Sequence, residues 1–254
     1  MKNIMTAVTG LALLMCAPVS MAQDDEQPDR FTYATYFYCN NGMEDAADDY
    51  AKRNAEVYDQ MVEDGKMLGW GWLSHHTGGK WRRIQWHQAD SLEAVVTATN
   101  AMGAAVTEKF GEEDEAGDAF SAACPQHDDY VWQVTEGMTG VDRGEVGFSV
   151  YHKCDIAREE RADELVAEHV APAMNKMVEE GKLTSWGWQS HVIGGGIRKL
   201  QTMTAKDMSS LLAARTASIE AIYGEDDEAG EEFVEICGPH ADYIWNVVHE
   251  KVAN

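Results

Sequence analysis

Basic residues are scarce in this chain. Its 254 residues include 20 Lys and Arg against 44 Asp and Glu, which gives a formal net charge of -24 at pH 7. A field of that sign repels phosphates and anionic lipid headgroups, so we expect neither nucleic acid nor an anionic membrane surface as a partner. The charge favours cationic ligands or simply a hydrated acidic surface, and the second is the simpler interpretation.

The chain also lacks several catalytic signatures. No phosphate-binding loop, dinucleotide-binding fingerprint, HExxH sequence or Ser-His-Asp order occurs after residue 22. The five cysteines never lie in a CxxC spacing, which argues against a zinc site. The enzyme classes that depend on these motifs are therefore disfavoured, and no pattern identifies a cofactor.

Long apolar runs are absent after residue 22. Before it, Lys2, an apolar stretch over residues 4–19 and the small-residue sequence Ser20-Met21-Ala22 predict a signal peptide at residues 1–22. Acidic residues follow at once, so a retained anchor is not expected and neither is a membrane span. We therefore predict a periplasmic or secreted protein that begins at Gln23.

An internal repeat organises the rest of the chain. The sequence Trp70-Gly71-Trp72-Leu73-Ser74-His75 returns as Trp186-Gly187-Trp188-Gln189-Ser190-His191, and Tyr130-Val131-Trp132 returns as Tyr243-Ile244-Trp245. The spacing of roughly 115 residues is too long for a solenoid repeat. Two copies of one small domain are therefore predicted.

The copies are predicted at residues 31–135 and 146–250, with a glycine-containing linker at residues 136–145. In each copy, hydrophobic periodicity predicts the order strand, helix, strand, strand, helix, strand, with a glycine hairpin between the central strands. Asp90 is expected to cap the second helix of the first copy, and the acidic stretch after that helix is expected to be a loop. Pro172 predicts a kink in the first helix of the second copy. This split βαβ order predicts an α+β, ferredoxin-like domain.

Four cysteines remain once the signal peptide is removed, two in each copy. In an oxidising compartment an even set predicts disulfides, and the repeat favours Cys39–Cys124 and Cys154–Cys237 among the three pairings. The first and last strands of a βαββαβ domain are antiparallel neighbours, which brings the two cysteines of one copy within reach. A metal site is the alternative interpretation.

Each predicted sheet has helices on one face and leaves the other face bare. Because both faces of the strands are rich in aromatic residues, packing the two copies sheet on sheet is the economical way to hide them. The order of elements, the Gly-Gly hairpin and the tandem copies resemble the dimeric α/β-barrel superfamily, which includes antibiotic monooxygenases, stress-responsive barrel proteins and NIPSNAP-like proteins.

That resemblance implies a fused pseudo-dimer, either monomeric or further assembled as a homo-oligomer. It also implies a pocket in each half for a small, often apolar or aromatic, molecule. Members of the superfamily carry out cofactor-free oxygenation, isomerisation, cyclisation or haem chemistry, and some have no known reaction. No short catalytic signature of a named family is present.

His75 and His191 are the candidate catalytic residues. They occupy the same repeat position, at the end of the second strand of each copy. A histidine there can act as an acid or a base, or ligate a metal or haem. The alternative is a hydrogen-bonded structural histidine that holds the hairpin.

Aromatic residues supply the candidate ligand-binding set. Alternating Trp and Gly can build an aromatic wall with a cavity opposite, although core packing gives the same pattern. The candidates are Trp70, Trp72, Trp186, Trp188, Tyr36, Arg83 and Trp86; no metal ligands are assigned.

The sequence therefore predicts an exported protein that binds a small apolar or aromatic molecule in a pocket of a tandem α/β barrel, with conversion of that molecule as a further hypothesis. Whether it is an enzyme stays open. One alternative is a non-catalytic periplasmic protein with a structural or interaction role, which predicts a packed barrel without a cavity of ligand size. The other is a metal or haem binder that uses the paired histidines.

Overall fold

The computed structural model describes residues 29–140, 143–224 and 227–253. The predicted signal peptide and part of the linker therefore lie outside the described residues. The first half contains β1 (Phe31–Tyr38), α1 (Glu44–Glu63), β2 (Gly69–Thr77), β3 (Arg83–Ala89), α2 (Leu92–Phe110), α3 (Glu115–Ala123) and β4 (Gln126–Thr139). The second half contains β5 (Val146–His152), α4 (Glu159–Leu165), α5 (Ala171–Glu179), β6 (Ser185–Ile193), β7 (Lys199–Ala205), α6 (Met208–Tyr223), α7 (Asp227–Cys237) and β8 (His240–Val252).

The eight strands form one closed antiparallel barrel. Its order is β1-β3-β2-β8-β5-β7-β6-β4, with β4 returning to β1. Each half contributes a four-stranded ferredoxin-like sheet, so the predicted fold class is confirmed. The two sheets also join edge to edge, because β2 pairs with β8 and β4 pairs with β6. Closure leaves no strand edge unpaired, which removes the sites at which sheets add foreign strands.

Alternation along the strands separates an outer face under the helices from an inner face in the barrel. On β2, Trp70 and Trp72 belong to the core between sheet and helices, while Leu73 faces the barrel interior. The outer face of each half packs against its own helices in a separate apolar cluster. Among the described residues, no helix is long and apolar enough to cross a bilayer.

The acidic stretch after α2 contains a helix that the sequence did not predict. Asp114 caps α3 by accepting a hydrogen bond from the Ala116 backbone N–H, and Arg53 of α1 forms an ion pair with the same carboxylate. Phe120 of α3 stacks on Tyr50 of α1 at a ring-centroid distance of 4.7 Å. The apolar face of this short helix therefore decides its structure, although its charge alone favours a loop.

Other element boundaries also differ from the sequence prediction. Ser91, and not Asp90, caps α2, since its hydroxyl accepts from the Ala94 backbone N–H. Strand β4 continues to Thr139, so residues 136–139, which the sequence assigns to the linker, pair with β6.

The kink expected at Pro172 takes the form of a change in helix type. Residues Val166–Val170 form a π-helical turn between α4 and α5, and Pro172 lies in the first turn of α5. Proline has no backbone N–H to donate to the preceding turn, and a wider turn at that point relieves the clash of its ring.

Both predicted disulfides are present. Cys39 follows β1 and bonds to Cys124 after α3, and Cys154 bonds to Cys237 in the equivalent place of the second half. Each bridge ties the end of the first strand to the chain entering the last strand. The bridges close loops of 85 and 83 residues.

Replacing Cys39 and Cys124 together by serine should lower the free energy of unfolding by about 4 kcal/mol, because a closed loop of this length restricts the unfolded chain. Chemical denaturation followed by tryptophan fluorescence measures the loss. The matched pair Cys154→Ser with Cys237→Ser should lose a similar amount. A loss below about 1 kcal/mol for both pairs contradicts a stabilising role.

Candidate functional site

The barrel contains a cavity of about 980 Å³. Its lining includes residues from the beginning of β1, such as Thr32, and from the end of β8, such as Val252. The exposed residues Asp29, Asp90 and Ala253 lie at the same end of the barrel and mark the mouth. The cavity is shared by the two halves, whereas the resemblance implied a pocket in each half.

The floor of the cavity is a cluster of large aromatic side chains. Tyr36 and Tyr151, one from each half, meet edge to face at 5.5 Å, and Trp132 and Trp245 line the cavity beside them. All four are almost completely buried. Trp81 stacks on Tyr36 at 4.3 Å on the side away from the mouth. The floor therefore closes the barrel at the end opposite the mouth.

Equivalent positions in the two halves give the cavity two different walls. Trp86 of β3 lies over Gly71, where an added Cβ would come within 2.5 Å of the indole nitrogen. The equivalent position in the second half is Thr202, opposite Gly187. The first half therefore fills this part of the barrel with an indole, and the second half leaves room.

A partly buried carboxyl lies at the mouth. Glu250 of β8 has an exposed side-chain fraction of 15%, and Arg143 Nη1 lies 3.7 Å from its Oε2. Burial raises the pKa of Glu250, and the charge of Arg143 opposes that rise. The two side chains form part of a polar rim above the aromatic floor.

His75 and His191 do not line the cavity. His75 Nδ1 accepts a hydrogen bond of 2.8 Å from Arg82 Nη1, and His191 Nδ1 accepts one of 2.7 Å from Arg198 Nη1. Each arginine is held in turn by a glutamate of the preceding helical segment: Glu44 for Arg82 and Glu159 for Arg198. The same glutamate–arginine–histidine chain thus occurs in both halves.

Arginine can only donate hydrogen bonds, so these contacts fix the protonation of both rings. Each imidazole must be neutral with its hydrogen on Nε2. Burial lowers the pKa of His75, and the positive charge of Arg82 lowers it further; burial followed by Arg198 does the same for His191. The backbone at Gly78 opposes the lowering of the His75 pKa, and the backbone at Gly194 opposes that of His191. Each Nε2 is buried and makes no hydrogen bond of normal geometry, and the ring meets the indole of the other half edge-on, at 6.0 Å for Trp245 and 6.1 Å for Trp132. This geometry matches the structural alternative raised from the sequence.

The four tryptophans of the repeat lie on the outer face of the barrel. Their indole N–H groups donate to side chains of the covering helices: Trp70 to Asp59, Trp72 to Asp48, Trp186 to Asn175 and Trp188 to Asp163, at 2.7 to 2.8 Å. Arg83 also faces outward and donates two hydrogen bonds of 2.6 Å to Asp48. Core packing under the helices is therefore the role that the structure gives these five side chains.

Of the sequence candidates, Tyr36 and Trp86 line the cavity. Sequence reasoning did not single out Trp132 and Trp245, although both belong to a repeated motif. The alternation of facing along the last strand of each copy could have identified them, because it places these tryptophans on the sheet face opposite Val131 and Ile244. No sequence pattern identifies Gln189 or Thr202 as lining residues, since the first copy carries different residues at the equivalent positions.

No family model and no curated protein matches the sequence. Solved structures do match over most of the chain. A candidate monooxygenase from Lactobacillus acidophilus superposes with a TM-score of 0.56 at 8% identity, covering 88% of this chain and 96% of that one. An anthrone oxidase-like protein gives 0.50 at 14% identity over 90% and 95%, and a mutant chlorite dismutase from Candidatus Nitrospira defluvii gives 0.51 at 10% identity over 88% and 92%. This chain has the dimeric α/β-barrel fold. At these identities the likeness extends to the fold alone.

The paired histidines do not fit a metal or haem in this α/β barrel. A ligating imidazole needs a free nitrogen lone pair, but Nδ1 is used by arginine and Nε2 carries the hydrogen. The space between sheet and helices is filled by Trp70, Trp72 and their counterparts, which are at most 3% exposed. Among the described residues, no group of three or more His, Cys, Asp and Glu side chains is placed to hold a metal ion.

Both histidines should remain neutral as the pH falls below 6.5, and both should show the Nε2–H tautomer in ¹⁵N NMR spectra. Because the pKa is depressed in the fold, the unfolded chain takes up these protons first, and stability decreases as the pH falls from 6.5 toward the folded pKa. Arg82→Met should raise the pKa of His75 and leave His191 unchanged. A protonated ring, or an Nδ1–H tautomer, at pH 7 would contradict the assignment.

Proposed function

We propose that this protein binds a small apolar or aromatic molecule inside its barrel. The observation that carries the proposal is the cavity of about 980 Å³ above an aromatic floor. Its size is at the upper end of the range for pockets that enclose a drug-sized ligand. A purely structural role predicts a filled barrel, so the cavity favours ligand binding over that alternative.

The lining explains which ligands the cavity would accept. Tyr36, Trp86, Trp132 and Trp245 present ring faces and edges against which an aromatic molecule can stack or pack edge-on. Transfer of apolar surface from water into such a site is favourable, at roughly 25 cal/mol per Å². The charged residues stay at the mouth, so a neutral molecule loses little by entering.

Below the mouth the lining gives little support for acid–base chemistry; Glu250, whose pKa is raised by burial, lies at the rim beside Arg143. Burial raises the pKa of Tyr36 and of Tyr151, so both hydroxyl groups stay protonated at neutral pH. The histidines that were candidate bases lie outside the cavity. We therefore propose binding and assign no reaction to the cavity.

N-phenyl-1-naphthylamine, a neutral fluorescent aromatic, should bind the wild-type protein saturably, with a blue shift and increased emission. Thr202→Trp should weaken this binding at least tenfold, roughly 1.4 kcal/mol, because it adds to the second wall the indole that Trp86 contributes to the first. Fluorescence titration measures both dissociation constants.

The matched control is Thr216→Trp, which makes the same change at an exposed position of α6. It should bind the dye like the wild type. Equal binding by Thr202→Trp and wild type, or a dye signal that does not saturate, would rule out the barrel interior as the site.

We also propose that the protein works outside the cytoplasm. Two disulfides support this location, because such bonds persist mainly in oxidising compartments. The charge and small-residue pattern of the first 22 residues supports export through a cleaved signal peptide.

Protein expressed from the full sequence in a Gram-negative host should be recovered from the periplasm with Gln23 as its first residue. N-terminal sequencing and intact mass identify that residue. Replacing the apolar residues 11–14 by serines should keep the protein in the cytoplasm at full length. Recovery of uncleaved, soluble wild-type protein from the cytoplasm is the result that excludes export.

A further inference from the structure

The two walls of the cavity differ in chemistry although they occupy equivalent positions. At three equivalent positions the first half carries an apolar side chain and the second half a hydroxyl or amide group, while Thr32 and Gln88 are polar residues that the first half adds to the lining. The equivalent pairs are Leu73 and Gln189, Ala34 and Ser149, and Trp86 and Thr202, and all six residues line the cavity. Strand register confirms the equivalence, since Ala34 pairs with Trp86 as Ser149 pairs with Thr202.

Outside these three positions some equivalent residues are shared and others differ, as where Phe37 and Arg83 of the first half correspond to His152 and Lys199 of the second. The floor repeats Tyr36 as Tyr151 and Trp132 as Trp245. On the outer face Trp72 and Trp188 both donate to a carboxylate, whereas Trp70 donates to Asp59 and Trp186 to Asn175. The differences at the three lining positions are the ones that a bound molecule would touch.

Gln189 is the polar wall residue whose environment is incomplete. It is 6% exposed, and its Oε1 is buried without any hydrogen-bond partner. A buried acceptor without a donor is unfavourable, and native structures rarely leave one unpaired. A ligand that brings an O–H or N–H group into the cavity would supply that donor once the Gln189 amide turns toward it, because the oxygen itself has almost no surface open to the cavity. Leu73, at the equivalent place, offers an apolar surface instead.

We propose that the cavity binds a planar molecule with two unlike sides in a single orientation. The apolar ring packs on the wall formed by Trp86, Leu73 and Ala34, and a hydroxyl or N–H group of the ligand donates to Gln189 Oε1. Ser149 and Thr202 provide further hydroxyl groups for the same polar side. This inference rests on the proposed function and makes Gln189 the residue that selects for a donor group.

The test compares 2-naphthol with naphthalene, which share a ring system and differ by one hydroxyl. Equilibrium dialysis gives the dissociation constant of each compound for the wild type and for Gln189→Met, a substitution of similar volume. The quantity of interest is the dissociation constant of naphthalene divided by that of 2-naphthol. This ratio should fall about tenfold in Gln189→Met, since a hydrogen bond to a buried acceptor is lost only for the hydroxylated compound.

Two further variants control the result. Gln60→Met, on the exposed face of α1, should keep the wild-type ratio. Gln189→Leu introduces the residue type that the first half carries at this position, as Leu73. It should lower the ratio in the same way, and it replaces the methionine variant if that variant does not fold. Combining Gln189→Leu with Leu73→Gln should restore part of the ratio, because the acceptor then stands on the opposite wall.

The possible failures can be told apart. If both compounds bind the wild type and the ratio is unchanged in Gln189→Met and Gln189→Leu, the role of Gln189 is overturned while the proposed function stands. If neither compound binds the wild type saturably, and the naphthylamine dye does not bind either, the proposed function fails together with this inference.

Discussion

Edge pairing between the two halves is the constraint on which the rest of this structure depends. Each half alone would expose two strand edges and one aromatic sheet face. The β2–β8 and β4–β6 pairings cover both edges and create the interior that the cavity occupies. Contacts inside the barrel also cross between halves, as when Trp81 stacks on Tyr243 at 5.3 Å. Neither the floor nor the cavity exists without both copies.

Hydrogen bonds between helix carboxylates and barrel side chains are a second structural feature that both halves share. Asp48 of α1 accepts from Trp72 and Arg83, and Asp163 of α4 accepts from Trp188 and from Lys199. These carboxylates are partly buried, so each needs the donors that surround it. A tryptophan that both packs and donates is suited to this place, and this shared contact is a structural reason for the repeat to retain the motif.

The sequence was informative about the fold because the fold follows from patterns that repeat. Alternation, the glycine hairpins and the paired cysteines occur twice, and each copy supports the interpretation of the other. The helix at Glu115–Ala123 escaped prediction because its acidic composition concealed the packing of Phe120 on Tyr50. Tertiary contact overrode local charge there.

The candidate site was harder to predict, since retention between copies indicates shared structure more readily than function. His75 and the Trp70–Trp72 motif repeat because both halves need the same hairpin and helix contacts. Gln189 and Thr202 differ from Leu73 and Trp86, and only the closed barrel shows that these differences share one interior. Sequence spacing carries no information on which sheet face turns inward once two copies join.

Covalent linkage of the halves has a consequence for the cavity. In a homodimer of identical subunits a two-fold axis would pass through the barrel, and every residue on one wall would have to recur on the other. A substitution that improved the contact with one side of a bound molecule would then also change the wall that contacts its other side. A single chain with two separately encoded modules is free of that restriction, so Trp86 can persist where its counterpart has become Thr202. Such a barrel would hold one bound molecule per chain, with the larger free volume beside the second half.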